Sequence, residues 1–172
     1  LSLDLFETIP AGVTTRSNPH VQFFDVAAAT AILQGSVINN DGSGFINSVT
    51  AEDDAKYVAI EPIDNTLGAQ GDIRVGCVGA GEFVTVVAGA TIVQGSYVKI
   101  LTAGTNLLIT TVTPWVAGDD ESLILGRYFA KPSGNVTRAT SDPFNETYTD
   151  EGDFNVNDAV TTEIIEIRVG SS

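Results

Sequence analysis

The hexapeptide Ile32-Leu33-Gln34-Gly35-Ser36-Val37 returns as Ile92-Val93-Gln94-Gly95-Ser96-Tyr97, at an offset of 94 − 34 = 60. Asp53-Asp54 then matches Asp119-Asp120 at 119 − 53 = 66, and Ile73-Arg74-Val75-Gly76 matches Ile167-Arg168-Val169-Gly170 at 167 − 73 = 94. Each string alone is short enough to recur by chance. Three matches in one order with a growing offset indicate a duplicated unit whose second copy took insertions. Most of the growth, 94 − 66 = 28 residues, falls between Asp120 and Ile167. Such a chain is constrained to fold as two related halves.

Each half reads as short strands punctuated by turns. The first has runs at 31–38, 45–49, 57–60 and 73–78, with the cluster Asn39-Asn40-Asp41-Gly42-Ser43-Gly44 after the opening run. The second has runs at 83–87, 91–101, 107–112, 123–130 and 164–169. Val, Ile and Thr dominate these runs, residues that suit a pleated, half-buried surface, and the 17 glycines suit tight turns. At most one or two helical turns are expected, over Thr50 to Lys56, where Thr50 can cap and the acids after it favour a helix start. The expected fold is mainly β, a small barrel or sandwich built from two related β-rich halves. The halves are placed at 28–80 and 81–172, with an N-terminal arm at 1–27 broken by Pro10 and Pro19 and a loop insertion at about 131–162.

The length of 172 residues is enough for a real core, and the 43% hydrophobic content argues against disorder. Eight Lys and Arg against 22 Asp and Glu give a formal charge of −14, which repels a nucleic-acid backbone. No run of 18 apolar residues occurs, so no membrane-spanning helix is expected. The start, Leu1 to Glu7, has neither the basic flank nor the unbroken apolar run of a secretory signal.

Reactive side chains are sparse. Cys77 is the single cysteine and His20 the single histidine, so an internal disulfide and a cysteine-built metal site are excluded and a Cys-His or Ser-His-Asp constellation has little support. The cluster from Asn39 to Gly44 lacks the downstream glutamate of a calcium loop, since the twelfth position from Asn39 is Thr50, and reads as a hairpin turn on Asp41-Gly42. The glycines from Gly76 to Gly81 precede the strand-like Phe83-Val84-Thr85-Val86-Val87 and not a helix, which rules out a phosphate cradle. Asp53, Asp54, Asp119 and Asp120 read as loop or helix-start residues, with a carboxylate-pair enzyme as a remote alternative. No catalytic, cofactor or metal site is expected.

The run from Gly81 to Lys99, the segment Asp119 to Phe129 with Ile124-Leu125-Gly126-Arg127-Tyr128, and the closing Glu166-Ile167-Arg168-Val169-Gly170 resemble the small head-decoration, or cement, proteins of tailed bacteriophages. The resemblance covers residues 81–130 and 160–170, and more faintly 30–78 through the repeat. It implies a virion structural protein that binds the outer capsid surface and clamps major capsid proteins together, as a homo-oligomer, usually a trimer. The insertion departs from the compact family pattern. Within the arm, Leu3, Leu5, Phe6, Val21, Phe23 and Phe24 are too apolar for an idle tail and are the candidate partner-binding residues; covering the chain's own barrel is the competing use. The alternative function is a glycan-binding or adhesive β-domain, for which Trp115, Tyr128 and Tyr148 are the candidate aromatics.

Overall fold

The computed structural model describes residues 10–40, 44–46, 56–102, 109–132 and 158–171. Their regular structure is almost entirely strand: β1 (Gln22–Asp25), β2 (Thr30–Ile32), β3 (Val37–Asn40), β4 (Phe45–Ile46), β5 (Tyr57–Ala59), β6 (Ile63–Asn65), β7 (Arg74–Val78), β8 (Phe83–Ala88), β9 (Tyr97–Thr102), β10 (Thr111–Pro114), β11 (Ile124–Ala130) and β12 (Ile164–Val169). A single 3₁₀ turn, Glu121–Leu123, is started by the Asp120 carboxylate accepting from the Ser122 N–H. The short helix expected over Thr50 to Lys56 lies outside the described residues except for Lys56.

The duplication is visible in the topology. The first half orders its strands β1-β7-β5-β3-β4, and the second closes a barrel in the order β10-β8-β12-β11-β9. Pairing β1 with β8, β7 with β12, β5 with β11, β3 with β9 and β4 with β10 makes the two orders identical. The closing contact of the second half has a single-bridge counterpart in the first, whose sheet stays open. β10 pairs in parallel with β8 through Thr111–Val87 and Val112–Ala88, and in the first half a parallel bridge joins Val26 to Phe45 at the corresponding place. A pairing outside the main sheet also recurs: β2 pairs with β6 at Ile32–Ile63, and Ile92 bridges Ala159.

The Gln-Gly-Ser match marks the same turn twice. Ser36 N–H donates to the Leu33 carbonyl at 3.0 Å and Ser96 N–H to that of Val93 at 3.1 Å, with Gly35 at φ +87° and Gly95 at φ +91°. Positive φ at the third turn residue is the type II geometry that favours glycine. This turn corrects the two long strands expected at 31–38 and 91–101, each of which breaks here because a strand cannot continue through φ near +90°.

The closing match falls on equivalent strands but out of step. Ala59 pairs with Cys77 between β5 and β7, and its counterpart Tyr128 pairs with Ile167 between β11 and β12, so true counterparts are 167 − 77 = 90 apart and not 94. A turn without sequence likeness marks the approach to both strands. Asp72 accepts from the Ala69 N–H at 2.8 Å, and Glu163 from the Val160 N–H at 3.3 Å. Gly71 and Thr162 take the matching positive φ of +83° and +77°.

Alternation along the strands builds one core inside each half and joins the halves. Ile38, Ala59, Val75 and Cys77 form the core of the first half with Val26 and Ile32. Their neighbours Val37, Val58 and Val78 point the other way and share a core with Val84, Val86, Val98, Tyr128, Ile165 and Ile167 of the second. Successive strand residues face opposite sides, so one strand set serves both cores. Each fully buried Val or Ile contributes about 1.5–3 kcal/mol.

Two expected boundaries move. The segment assigned to an arm at 1–27 contributes β1, and residues 12–15 run along β8: Gly12 N–H donates to Thr85 O at 2.8 Å, Thr85 N–H to Val13 O at 3.0 Å and Thr15 N–H to Phe83 O at 3.3 Å. Backbone groups along an exposed strand need partners, and this segment supplies them. The insertion placed at 131–162 ends earlier, since Ala159 exchanges both backbone bonds with Ile92.

Candidate interaction surfaces

The residues singled out for partner binding have divided fates. Leu3, Leu5 and Phe6 lie outside the described residues. Val21 packs on the shared core. β1 alternates, so Phe24 turns inward against Phe45 at 4.0 Å and Tyr57 at 4.8 Å, while Phe23 turns outward and stays 60% exposed. Phe23 and Phe24 border a groove of about 330 Å³ that also has Asp25, Asn40, Gln70 and Arg74 in its walls. Here Arg74 donates to Asp25 at 3.2 Å across β1 and β7.

A second surface, absent from the sequence reading, covers the outside of the second barrel. Strand register places Tyr97 opposite Arg127, Arg127 opposite Arg168, and Arg168 opposite Phe83, a row crossing β9, β11, β12 and β8. Tyr128 and Ile167 point inward, so their strand neighbours Arg127 and Arg168 point out and are exposed. Arg127 Nε donates to the Gly95 carbonyl at 2.7 Å, and its guanidinium lies 5.6 Å from the Tyr97 ring. Tyr97 in turn meets Trp115 edge-on at 6.2 Å.

The row ends on a clamp. Arg16 lies 4.4 Å from the Phe83 ring and 5.2 Å from that of Phe129, and pairs with the nearly buried Glu166 at 3.2 Å. Phe83 and Phe129 meet edge-on at 5.2 Å, with Phe129 still 51% exposed. A groove of about 660 Å³ runs beside Phe129 between Gln94, Arg127 and Arg168, and a second of about 450 Å³ lies on its other side between Arg16 and Pro132. The row became visible only with the register, because its members are scattered from position 16 to 168.

The candidate glycan aromatics fare less well. Tyr128 is fully buried inside the barrel, and burial raises its hydroxyl pKa. Trp115 spends its indole N–H on the Asp120 carbonyl at 3.0 Å. Tyr148 lies outside the described residues.

Of the carboxylates weighed for chemistry, Asp119 and Asp120 hold local structure, and Asp53 and Asp54 lie outside the described residues. Asp119 accepts from Lys99 Nζ at 2.7 Å and from the Val116 N–H at 3.1 Å, and these bonds hold its carboxyl below the usual carboxylate range. Among the described residues no group of three His, Cys, Asp or Glu side chains is placed to hold a metal ion. Cys77 is buried in the core of the first half, and desolvation pushes its thiol up to about 12. At pH 8 the thiolate fraction is then on the order of one in ten thousand. Iodoacetamide at that pH is expected to leave the native protein unmodified by mass and to alkylate Cys77 fully in denaturant. Rapid labelling of the native chain would contradict this placement.

No family model and no curated protein matches the chain. Among solved structures, it is similar to the crystal structure of the head fiber gp8.5 N base in bacteriophage phi29, with 17% identity and a TM-score of 0.49 over 89% of this chain and 97% of that one.

Proposed function

We propose that this chain is a structural protein of a tailed-phage head that binds the outer surface of the capsid and cements the major capsid proteins, acting as a homotrimer. The observation that carries the proposal is the convergence of the three segments bearing the family resemblance. Gly81 to Lys99, Asp119 to Phe129 and Glu166 to Gly170 are separated in sequence, yet they supply β8, β9, β11 and β12 of one closed barrel. A likeness scattered by chance would not be expected to fall on one hydrogen-bonded unit.

The charge supports an outer position. A net −14 opposes contact with packaged DNA, while on the outside the same charge keeps the protein soluble before it docks. Several modest contacts per oligomer, repeated around a lattice symmetry axis, stabilise a shell without any single tight one.

The test is localisation. Gradient-purified virions of the phage that carries this gene are expected to contain the chain in fixed ratio to the major capsid protein, with cryo-EM density on the outside of the head. Heads lacking it are expected to take up the purified protein and to resist heat better afterwards. Absence from virions, or density confined to the tail, would overturn the proposal, and sedimentation at high concentration showing only monomer both free and on heads would overturn the trimer.

A further inference from the structure

One strand edge of the duplicated unit is covered in the second half and bare in the first. β8 pairs with β12 on one side, and on the other it carries residues 12–15, which run antiparallel to it through Thr14–Val84 and bond to Phe83 and Thr85. Counterparts in the closing strands are 90 apart, so Glu166, opposite Thr85, corresponds to Gly76 (166 − 76 = 90), opposite Phe23. Phe23 of β1 is therefore the counterpart of Thr85. Gly76 turns its N–H to the Glu61 carboxylate at 2.8 Å and its carbonyl to the Ile60 N–H at 3.0 Å, both on the β5 side. In an antiparallel ladder the residue opposite then directs its own N–H and carbonyl outward. Those of Phe23 thus point off the sheet, and among the described residues nothing bonds to them. The edge also lacks the usual guards: Gln22-Phe23-Phe24-Asp25 has no lysine or proline, and its register on β7 has no bulge. The groove of about 330 Å³ lies along it.

We propose that this edge of β1 is a docking site and that its occupant is an extended, uncharged segment of a partner protein, added as a further strand beside Phe23. The second half shows what covers the equivalent edge: Gly12-Val13-Thr14-Thr15, a segment without charge. Asp25 and Arg74, at the end of the bare edge, already pair with each other at 3.2 Å and call for no charge on the occupant. Phe23 lies against Gly76, where an added Cβ would come within 3.2 Å of its ring, and its exposed side can receive an apolar side chain of the added strand. Main-chain bonds along such an edge supply affinity, and side-chain contacts like that with Phe23 supply selectivity. Identifying the partner with the capsid shell rests on the function proposed above; the docking edge does not.

The test uses an acetylated and amidated peptide copying residues 11–15, the same peptide N-methylated at every residue, and phage heads lacking the chain. In excess, the peptide is expected to shift the Phe23 amide proton downfield and to slow its exchange, and the N-methylated form, which cannot donate, to do neither. Phe23→Pro removes the outward N–H at an edge position where a strand tolerates proline, and is expected to weaken the peptide about tenfold. Should that variant melt early, Phe23→Lys keeps the backbone and guards the edge with a charge, and is expected to weaken the peptide as well. Shifts confined to Phe83 and Thr85 would mean that the peptide only exchanges with residues 12–15, and would overturn the proposal. Protection of Phe23 that grows with the concentration of the chain alone would replace the partner protein with a second copy. On heads, the chain is expected to gain amide protection over Gln22 to Asp25. Heads that take up the chain without that protection, together with no peptide response at Phe23, would overturn the edge and leave the capsid reading standing. A peptide response at Phe23 with heads that never bind would do the reverse.

Discussion

Gly35→Ala is expected to destabilise the protein by about 3–5 kcal/mol and Gly95→Ala by only about 1–2 kcal/mol, although the two glycines occupy the same turn of the duplicated unit. Both sit near φ +90°, so both substitutions incur the left-handed penalty of an L side chain. The surroundings differ. A Cβ on Gly35 would lie 2.5 Å from the Ala11 Cβ and 2.9 Å from Ile109 Cδ1, inside the contact between the halves and the N-terminal segment. A Cβ on Gly95 would meet nothing within 4 Å. Urea unfolding of the two variants checks the difference. Equal losses would mean that the turn alone, and not its packing, sets the need for glycine.

The second large effect is expected at the foot of the insertion. Lys131 and Glu163 pair at 2.9 Å with side chains only 6% and 14% exposed, one on each side of the long segment absent from the first half. Removing one member of a mostly buried ion pair takes a close opposite charge from the other, so Glu163→Ala is expected to lower stability by about 3–5 kcal/mol. The carboxylate also accepts from the Val160 N–H, which holds the turn leading into β12. Glu163→Gln keeps an acceptor for that turn and is expected to lose less than the alanine variant. Replacing the pair with Lys131→Met and Glu163→Leu is expected to recover most of the loss, because apolar side chains of similar size avoid the desolvation of both ions. A Glu163→Ala variant within about 1 kcal/mol of wild type would show that the pair is compensated by solvent.

The readings that held rest on local signals. Tyr57 to Ala59, Arg74 to Val78 and Ile164 to Val169 are strands within short runs rich in Val, Ile and Tyr, whereas Gln-Gly-Ser, expected inside a strand, is a turn because glycine supplies the φ its geometry requires. β3 and β4 pair antiparallel at Asn40–Phe45, while Asp41 and Gly42, on which the hairpin turn was read, lie outside the described residues. β1 and β6 escaped the reading. Gln22–Asp25 looked like part of an arm, and Ile63-Asp64-Asn65 is too short to show a period. The shared turn at Ala69–Asp72 and Val160–Glu163 was hidden because its two copies have different residues, and only its hydrogen bond and positive φ make them equivalent.

The sequence by itself determined that the protein is mainly β, that it holds two related halves, and that the second carries the insertion, since each depends on patterns or spacings along the chain. Register, closure and the row of side chains outside the second barrel were decided by the tertiary structure. The repeated Ile-Arg-Val-Gly string aligned the closing strands four residues away from their true correspondence, because short apolar strings match at several offsets and only cross-strand hydrogen bonds choose one. Phe23 and Phe24 are adjacent and chemically alike, yet the pleat sends one to solvent and the other against the core of the first half. Arg127 and Arg168 stand 41 positions apart (168 − 127) and become neighbours only when β11 and β12 pair, which is a property of the folded backbone and has no trace in either residue's local sequence.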